Sequence, residues 1–282
     1  MLFFRVFYLL FLLSILASCT KDNTKYSVIK EKSLEMQVLE AYDIGKDALE
    51  GGDVLYAAKK FNEVETLFPQ SELAPKSALM AAYSYYTQDY YSDSVAELKR
   101  FIRVYPYHKD ISYAHYLMGI CFFEQIVDEK KDLESIKNAK IKFNFVLKEY
   151  PNTEYALDSE FKISLINDIL ASKEMYIGRY YFKKKKWISA INRFRTVIDD
   201  YDTTIYTAEA LHRLVEVHYT IGLIDEAEKY AQLLGYNYGS SEWYENTYSL
   251  FDKNYKIREK NRFKDIKKKN KKVLKKFKAL FE

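Results

Sequence analysis

Four short landmarks punctuate the apolar pattern of this chain: Phe68-Pro69, Tyr105-Pro106, Tyr150-Pro151 and Tyr201-Asp202. Twelve positions before the second residue of each pair stand Ala57, Ser94, Ala139 and Ala190. Eight before stand Phe61, Leu98, Phe143 and Phe194, and five before stand Val64, Phe101, Val146 and Val197. Eight after come Ser77, Ala114, Ser159 and Ala210, and twelve after come Ala81, Met118, Ile163 and Leu214. Steps of three and four return side chains to one helical face, so each landmark closes one helix and precedes another. The small residues let two helices approach, and the large residue one turn on fills the space beside them. Proline stops a helix because its ring blocks continuation and its predecessor disfavours the α region. Asp202, in the fourth landmark, can still turn the chain or cap the next helix.

The landmarks lie 37, 45 and 51 residues apart. A helix–turn–helix unit of about 34 residues is the tetratricopeptide (TPR) period, so the excess is insertion or helix extension. The charged stretch Asp128 to Asn138 is expected to join the helices of the third unit, and Lys183 to Lys186 forms a basic corner in the fourth. Ile221 to Ala227 reads as the internal turn of a fifth unit. The body opens near Leu34, where Met36, Leu39, Ala41 and Tyr42 fall at helical spacing. The predicted fold is all-α: a TPR-like α-solenoid of about five helix–turn–helix repeats, each burying its apolar face on its neighbours.

Composition agrees. Only 8 Gly and 4 Pro occur in 282 residues, against 27 Tyr and 18 Phe. Tyr joins a large apolar ring to a polar tip, which suits helix interfaces that border water or a partner. Tyr83, Tyr86, Tyr90, Tyr113 and Tyr116 are candidates to line a groove, with inter-helix packing the competing use of each ring.

The net charge of +4 hides an uneven distribution: residues 253–282 hold 14 Lys+Arg against 3 Asp+Glu, leaving −7 for the rest. In this tail Ile257, Phe263, Ile266, Val273, Leu274, Phe277 and Phe281 recur at helical steps among the lysines, as in a basic amphipathic helix. An acidic partner, an anionic membrane surface or plain solvent are its three possible neighbours. Nucleic acid is not expected as a target.

At the other end, Arg5 precedes an apolar stretch from Val6 to Leu13. This is too short for about 30 Å of hydrocarbon and reads as an export signal. Leu16-Ala17-Ser18-Cys19 resembles the lipobox of bacterial lipoprotein signals, which implies an acylated Cys19 at the mature N-terminus; an ordinary signal peptide is the alternative. The division expected is 1–18 signal peptide, 19–33 lipidated cysteine and tether, 34–124 N-terminal repeats, 125–235 C-terminal repeats, and 236–282 C-terminal extension with the basic tail. Cys121, inside the apolar stretch Leu117 to Phe123, is expected to be a buried inert thiol.

Catalytic patterns find no support. His212 and His218 are six apart and share no helical face, and no Cys or carboxylate cluster completes a metal site. His108 reads as a turn residue. Glycine-rich phosphate loops and nucleophile elbows are missing from the sequence, so neither an enzyme nor a cofactor is expected.

Three segments carry a family resemblance: Ala57 through Phe68-Pro69-Gln70-Ser71 to Tyr86, Phe101 to Gly119, and Trp187 to Phe194. With the lipobox and the repeats, the chain resembles the BamD family of outer-membrane assembly lipoproteins as far as about residue 235. The missing fourth proline and the basic tail depart from that pattern. The resemblance implies an outer-membrane-anchored periplasmic scaffold that performs no chemistry. Its expected partners are the barrel-forming assembly subunit, through that subunit's periplasmic domains, other assembly lipoproteins, and unfolded outer-membrane β-barrel proteins. It places the first contact at Trp187, Asn192 and Arg193, and the substrates on the N-terminal groove. Thr20 after the cysteine agrees with outer-membrane attachment. The alternative function is a TPR lipoprotein that recruits peptidoglycan hydrolases or synthases.

Overall fold

The computed structural model describes residues 33–126 and 133–252. The leader, Cys19, most of the tether, part of the 128–138 stretch and the basic tail lie outside the described residues.

Eleven α-helices follow one another among the described residues: α1 Leu34–Glu50, α2 Val54–Leu67, α3 Leu73–Tyr86, α4 Tyr91–Val104, α5 Ile111–Glu124, α6 Glu134–Glu149, α7 Glu154–Lys183, α8 Trp187–Asp200, α9 Thr207–Thr220, α10 Ile224–Tyr238 and α11 Glu242–Phe251. They pack as five hairpin pairs, α1–α2 to α9–α10, each second helix also touching the first helix of the next pair. Helix α11 closes the array against α9 and α10. Short polar side chains start several helices: Ser33, Asp53, Thr153 and Ser241 each accept a backbone N–H three residues on.

The repeated offsets are the core. Ala57, Ser94, Ala139 and Ala190 are completely buried, as are Phe61, Leu98, Phe143 and Phe194 one turn later and Val64, Phe101, Val146 and Val197 after them. The downstream positions are buried too, with Ile163 only partly so. Met36 and Leu39 differ from expectation. Both are 53% exposed, because no earlier described helix covers the outer face of α1; Val38 and Ala41 are its buried residues.

Close approach within a pair is set by a second small position. A side chain begun at Gly45, Gly119 or Gly178 would meet the ring of Phe61, Phe143 or Phe194 at 2.9, 2.7 or 2.5 Å. Ala82 stands in the corresponding place of the second pair, and its partner is the smaller Leu98.

The turns inside the pairs repeat as well. Gly52, Asp89, Lys185 and Gly222 have φ of 83°, 64°, 56° and 86°, and each lies five residues before the small residue of the second helix. The next N–H reaches back five residues in each: Asp53 to Ala48, Tyr90 to Tyr85, Lys186 to Tyr181 and Leu223 to His218. This is the Schellman arrangement that ends a helix through a left-handed residue.

The 51-residue interval is resolved as helix extension. From Ser159 to Gly178 in α7 is nineteen residues, against five from Ala114 to Gly119 in α5. Fourteen extra residues make about 21 Å of helix and fall about 40° short of four turns. One continuous α7 therefore presents its first half to α6 and its second half, with Ala171, Met175 and Gly178, to α8. Leu157 and Phe161, 73% and 60% exposed, mark the stretch that α8 does not reach.

Candidate interaction surface

The first helices of the second, third and fourth pairs bring a set of tyrosines together. Tyr83 and Tyr86 of α3 lie 6.1 Å apart between ring centres, and Tyr86 lies 6.2 Å from Tyr91 at the start of α4. On α5, Tyr113 and Tyr116 stand 5.4 and 5.3 Å from Tyr155 of α7. Each is half-buried against the main core cluster, leaving part of the ring or its hydroxyl at the surface. Four of the five tyrosines expected in a groove thus share one surface. Tyr90 does not join them: it sits in the α3–α4 turn, 41% exposed.

Carboxylates border these rings. The Tyr116 hydroxyl donates to Asp158 at 2.7 Å, and that of Tyr91 donates to Asp89 at 2.7 Å. Burial pushes the Tyr113 and Tyr116 hydroxyls well above the ordinary phenol range, with neighbouring tyrosines adding to the first and Asp158 to the second. Burial and the Glu124 charge raise Tyr86 in the same direction. The hydroxyls therefore stay neutral donors in ordinary buffers. The surface offers flat aromatic faces, O–H donors and carboxylate acceptors, which is binding chemistry. Tyr155, Asp158 and Tyr91 were not singled out in the sequence; Tyr91 and Tyr155 stand one helical step before buried Ser94 and Ser159, and Asp158 is next to Ser159.

The second candidate surface lies on α8. Arg193 extends from the turn that carries buried Phe194, and its guanidinium donates to Glu174 of α7 at 2.9 and 3.3 Å. The arginine side chain is 42% exposed and the glutamate 17%. Asn192 is exposed. Trp187 is partly buried and meets Phe182 edge-on at 5.6 Å, so much of its ring belongs to the α7–α8 corner.

Other polar groups are structural. Cys121 is buried against the Ser94 hydroxyl at 3.3 Å, and burial pushes its thiol up to about 11. His108 lies in the α4–α5 turn and accepts the Asp110 N–H at 3.2 Å. His212 pairs with Thr247 at 2.7 Å, and His218 with the Leu214 carbonyl at 2.7 Å. Among the described residues, no group of three or more His, Cys, Asp or Glu is placed to hold a metal. None of the described helices is long and apolar enough to cross a membrane.

Stacked helix pairs with an aromatic surface on their first helices define a TPR-like helical-repeat protein. The family model for YfiO, an outer membrane lipoprotein, matches residues 34–233. The chain belongs to that family. It is 46% identical over 199 residues to the outer membrane protein assembly factor BamD of Rickettsia prowazekii, covering 71% of this chain and 79% of that one. To the BamD of Caulobacter vibrioides it is 41% identical over 238 residues, covering 84% and 77%. The BamD of Neisseria meningitidis serogroup A is 28% identical over 238 residues, covering 80% and 88%.

Proposed function

We propose that this chain is a non-catalytic scaffold of outer-membrane protein assembly, fixed to the periplasmic face of the outer membrane through lipid on Cys19. The observation that carries this reading is family membership together with 41–46% identity to two proteins named outer membrane protein assembly factors. A repeat array presents surface without chemistry, which suits an adaptor.

Within this reading the two surfaces divide the work. Tyr83, Tyr86, Tyr113 and Tyr116, with Tyr91 and Tyr155 beside them, receive extended segments of unfolded β-barrel proteins. Exposed aromatic faces favour segments that end in aromatic residues. Trp187, Asn192 and Arg193 contact the periplasmic domains of the barrel-forming subunit. Arg193 suits that contact because its planar fork can hold a carboxylate while part of it remains exposed.

Affinity purification from detergent-solubilised envelopes tests the proposal. A β-barrel subunit with periplasmic domains should co-purify, and depletion should lower barrel insertion. Recovery of peptidoglycan hydrolases or synthases without any barrel subunit would replace this reading with the alternative.

A further inference from the structure

The fifth helix pair departs from the size rule of the other four, and a groove lies at the departure. In α8, Ala190 is followed four residues later by fully buried Phe194; in α10, Ala227 is followed by Ala231. Fully buried Val215 of α9 holds the place that Gly178 holds in the fourth pair, so the couple of sizes is inverted here. A groove of about 700 Å³ remains between α10 and α11, walled by Ala231, Gly235, Tyr244 and Phe251 and rimmed by Glu228 and Asp252. Phe251 is 39% exposed, and Tyr236 beside it 90%. Terminal units of repeat arrays carry a polar outer face, and among the described residues this groove stays apolar and open.

The chain path and the charge identify one occupant. Helix α11 ends at Phe251, and Asp252 is extended (φ −122°, ψ 97°), so the backbone leaves the helix axis at the groove's rim. Thirty residues follow. Residues 224–252 carry six carboxylates against the single basic residue Lys229, whereas residues 253–282 carry 14 Lys+Arg against 3 Asp+Glu. The same thirty residues repeat apolar side chains at steps of three, four and seven: Phe263, Ile266, Val273, Phe277 and Phe281.

We propose that residues 253–282 fold back in cis onto the α10–α11 groove. Phe263, Ile266 and Val273, which share one helical face, enter its apolar wall, and neighbouring lysines face Glu228 and Asp252. The linker from Asp252 to Phe263 is short, which gives millimolar effective concentration, so an intrinsic dissociation constant of about 0.1 mM fills the groove roughly tenfold over empty. The tail then supplies the polar outer face of the last unit. This inference does not depend on the assembly role proposed above.

Hydrogen exchange on the full mature chain, without lipid, tests it against the variant Phe263→Asp/Ile266→Asp/Val273→Asp. Amides of α10 and α11 should exchange roughly tenfold faster in the variant, with those of α2 to α4 unchanged. A photo-crosslinking residue at position 263 should label α10–α11 peptides of the same chain at every protein concentration. Unchanged exchange would overturn the proposal. So would labelling confined to a second copy, to the Leu157–Phe161 stretch of α7, or to lipid when anionic vesicles are added.

Discussion

The ring of Phe194 occupies the space that a side chain on Gly178 would need: a Cβ built there lies 2.5 Å from the ring. The same relation joins Phe143 to Gly119 and Phe61 to Gly45. Where Ala82 replaces the glycine, Leu98 replaces the phenylalanine. Each of the first four pairs of helices is held at its separation by one matched couple of sizes.

Gly178→Ala should therefore destabilise the chain by about 1–3 kcal/mol through overpacking, even after the helix-propensity gain of alanine. Phe194→Ala should cost about 3–5 kcal/mol through the cavity it leaves. Adding Phe194→Leu to Gly178→Ala recreates the couple of the second pair and should recover part of the loss. Chemical denaturation of the three variants measures the coupling; strictly additive losses would show that the two positions do not share a space.

Lys185 holds the left-handed turn position that glycine holds at Gly52 and Gly222. A side chain there costs about 1 kcal/mol relative to glycine. Lys185→Gly should raise stability by roughly that amount in thermal or denaturant unfolding. No gain would mean that lysine's contacts at this corner offset the strain.

Burial, and then the nearby Lys142 charge, hold His115 at about 4. Its ring lies 4.4 Å from Phe145, and its Nδ1 has no hydrogen-bond partner among the described residues. The unfolded chain takes up a proton below about pH 6.5 that the folded chain refuses. Stability is therefore lost as pH falls from about 6.5 to 4, and this group adds no further loss below that. His115→Phe should flatten the slope across that window by roughly 2–3 kcal/mol. Denaturation midpoints at pH 7 and pH 5 give the answer, and parallel slopes in both proteins would rule the assignment out.

Arg193→Ala should leave helicity and melting nearly unchanged, since a partly exposed ion pair contributes about 0–1 kcal/mol. Capture of the barrel-forming subunit should fall. Equal losses of melting temperature and capture would mark the Glu174 pair as structural.

Tyr116→Phe removes the donor to Asp158 and should cost about 1 kcal/mol. Tyr113→Ala and Tyr83→Ala should weaken crosslinking to unfolded barrel segments by roughly tenfold each, as loss of an aromatic anchor does. Wild-type crosslinking in both would move the substrate surface elsewhere.

Much of the architecture could be read from side-chain size at fixed offsets, because side chains that meet across a helix pair must share one limited space. Phe61, Leu98, Phe143 and Phe194 are all buried where that logic puts them. Local pattern did not separate insertion from extension in the 51-residue interval, because the fourteen added residues keep helical spacing and hence the same faces. Nor did it find the Arg193–Glu174 pair, whose partners are nineteen residues apart on different helices. Tyr155 and Asp158 were missed for the same reason: they meet Tyr113 and Tyr116 only through the stacking of α5 on α7. Met36 and Leu39 show the converse, helical spacing on a face that no described helix covers.

The near-whole number of turns inside α7 turns chain length into a gauge of direction. Removing two residues between Ser159 and Gly178 would swing everything downstream, Arg193 included, by about 200° relative to the tyrosines of α3 and α5. Removing four would restore the bearing to within about 40° and merely shorten the arm by about 6 Å. Homologous chains that lengthen or trim this rod while keeping both ends on speaking terms are thus restricted to steps of three, four or seven residues.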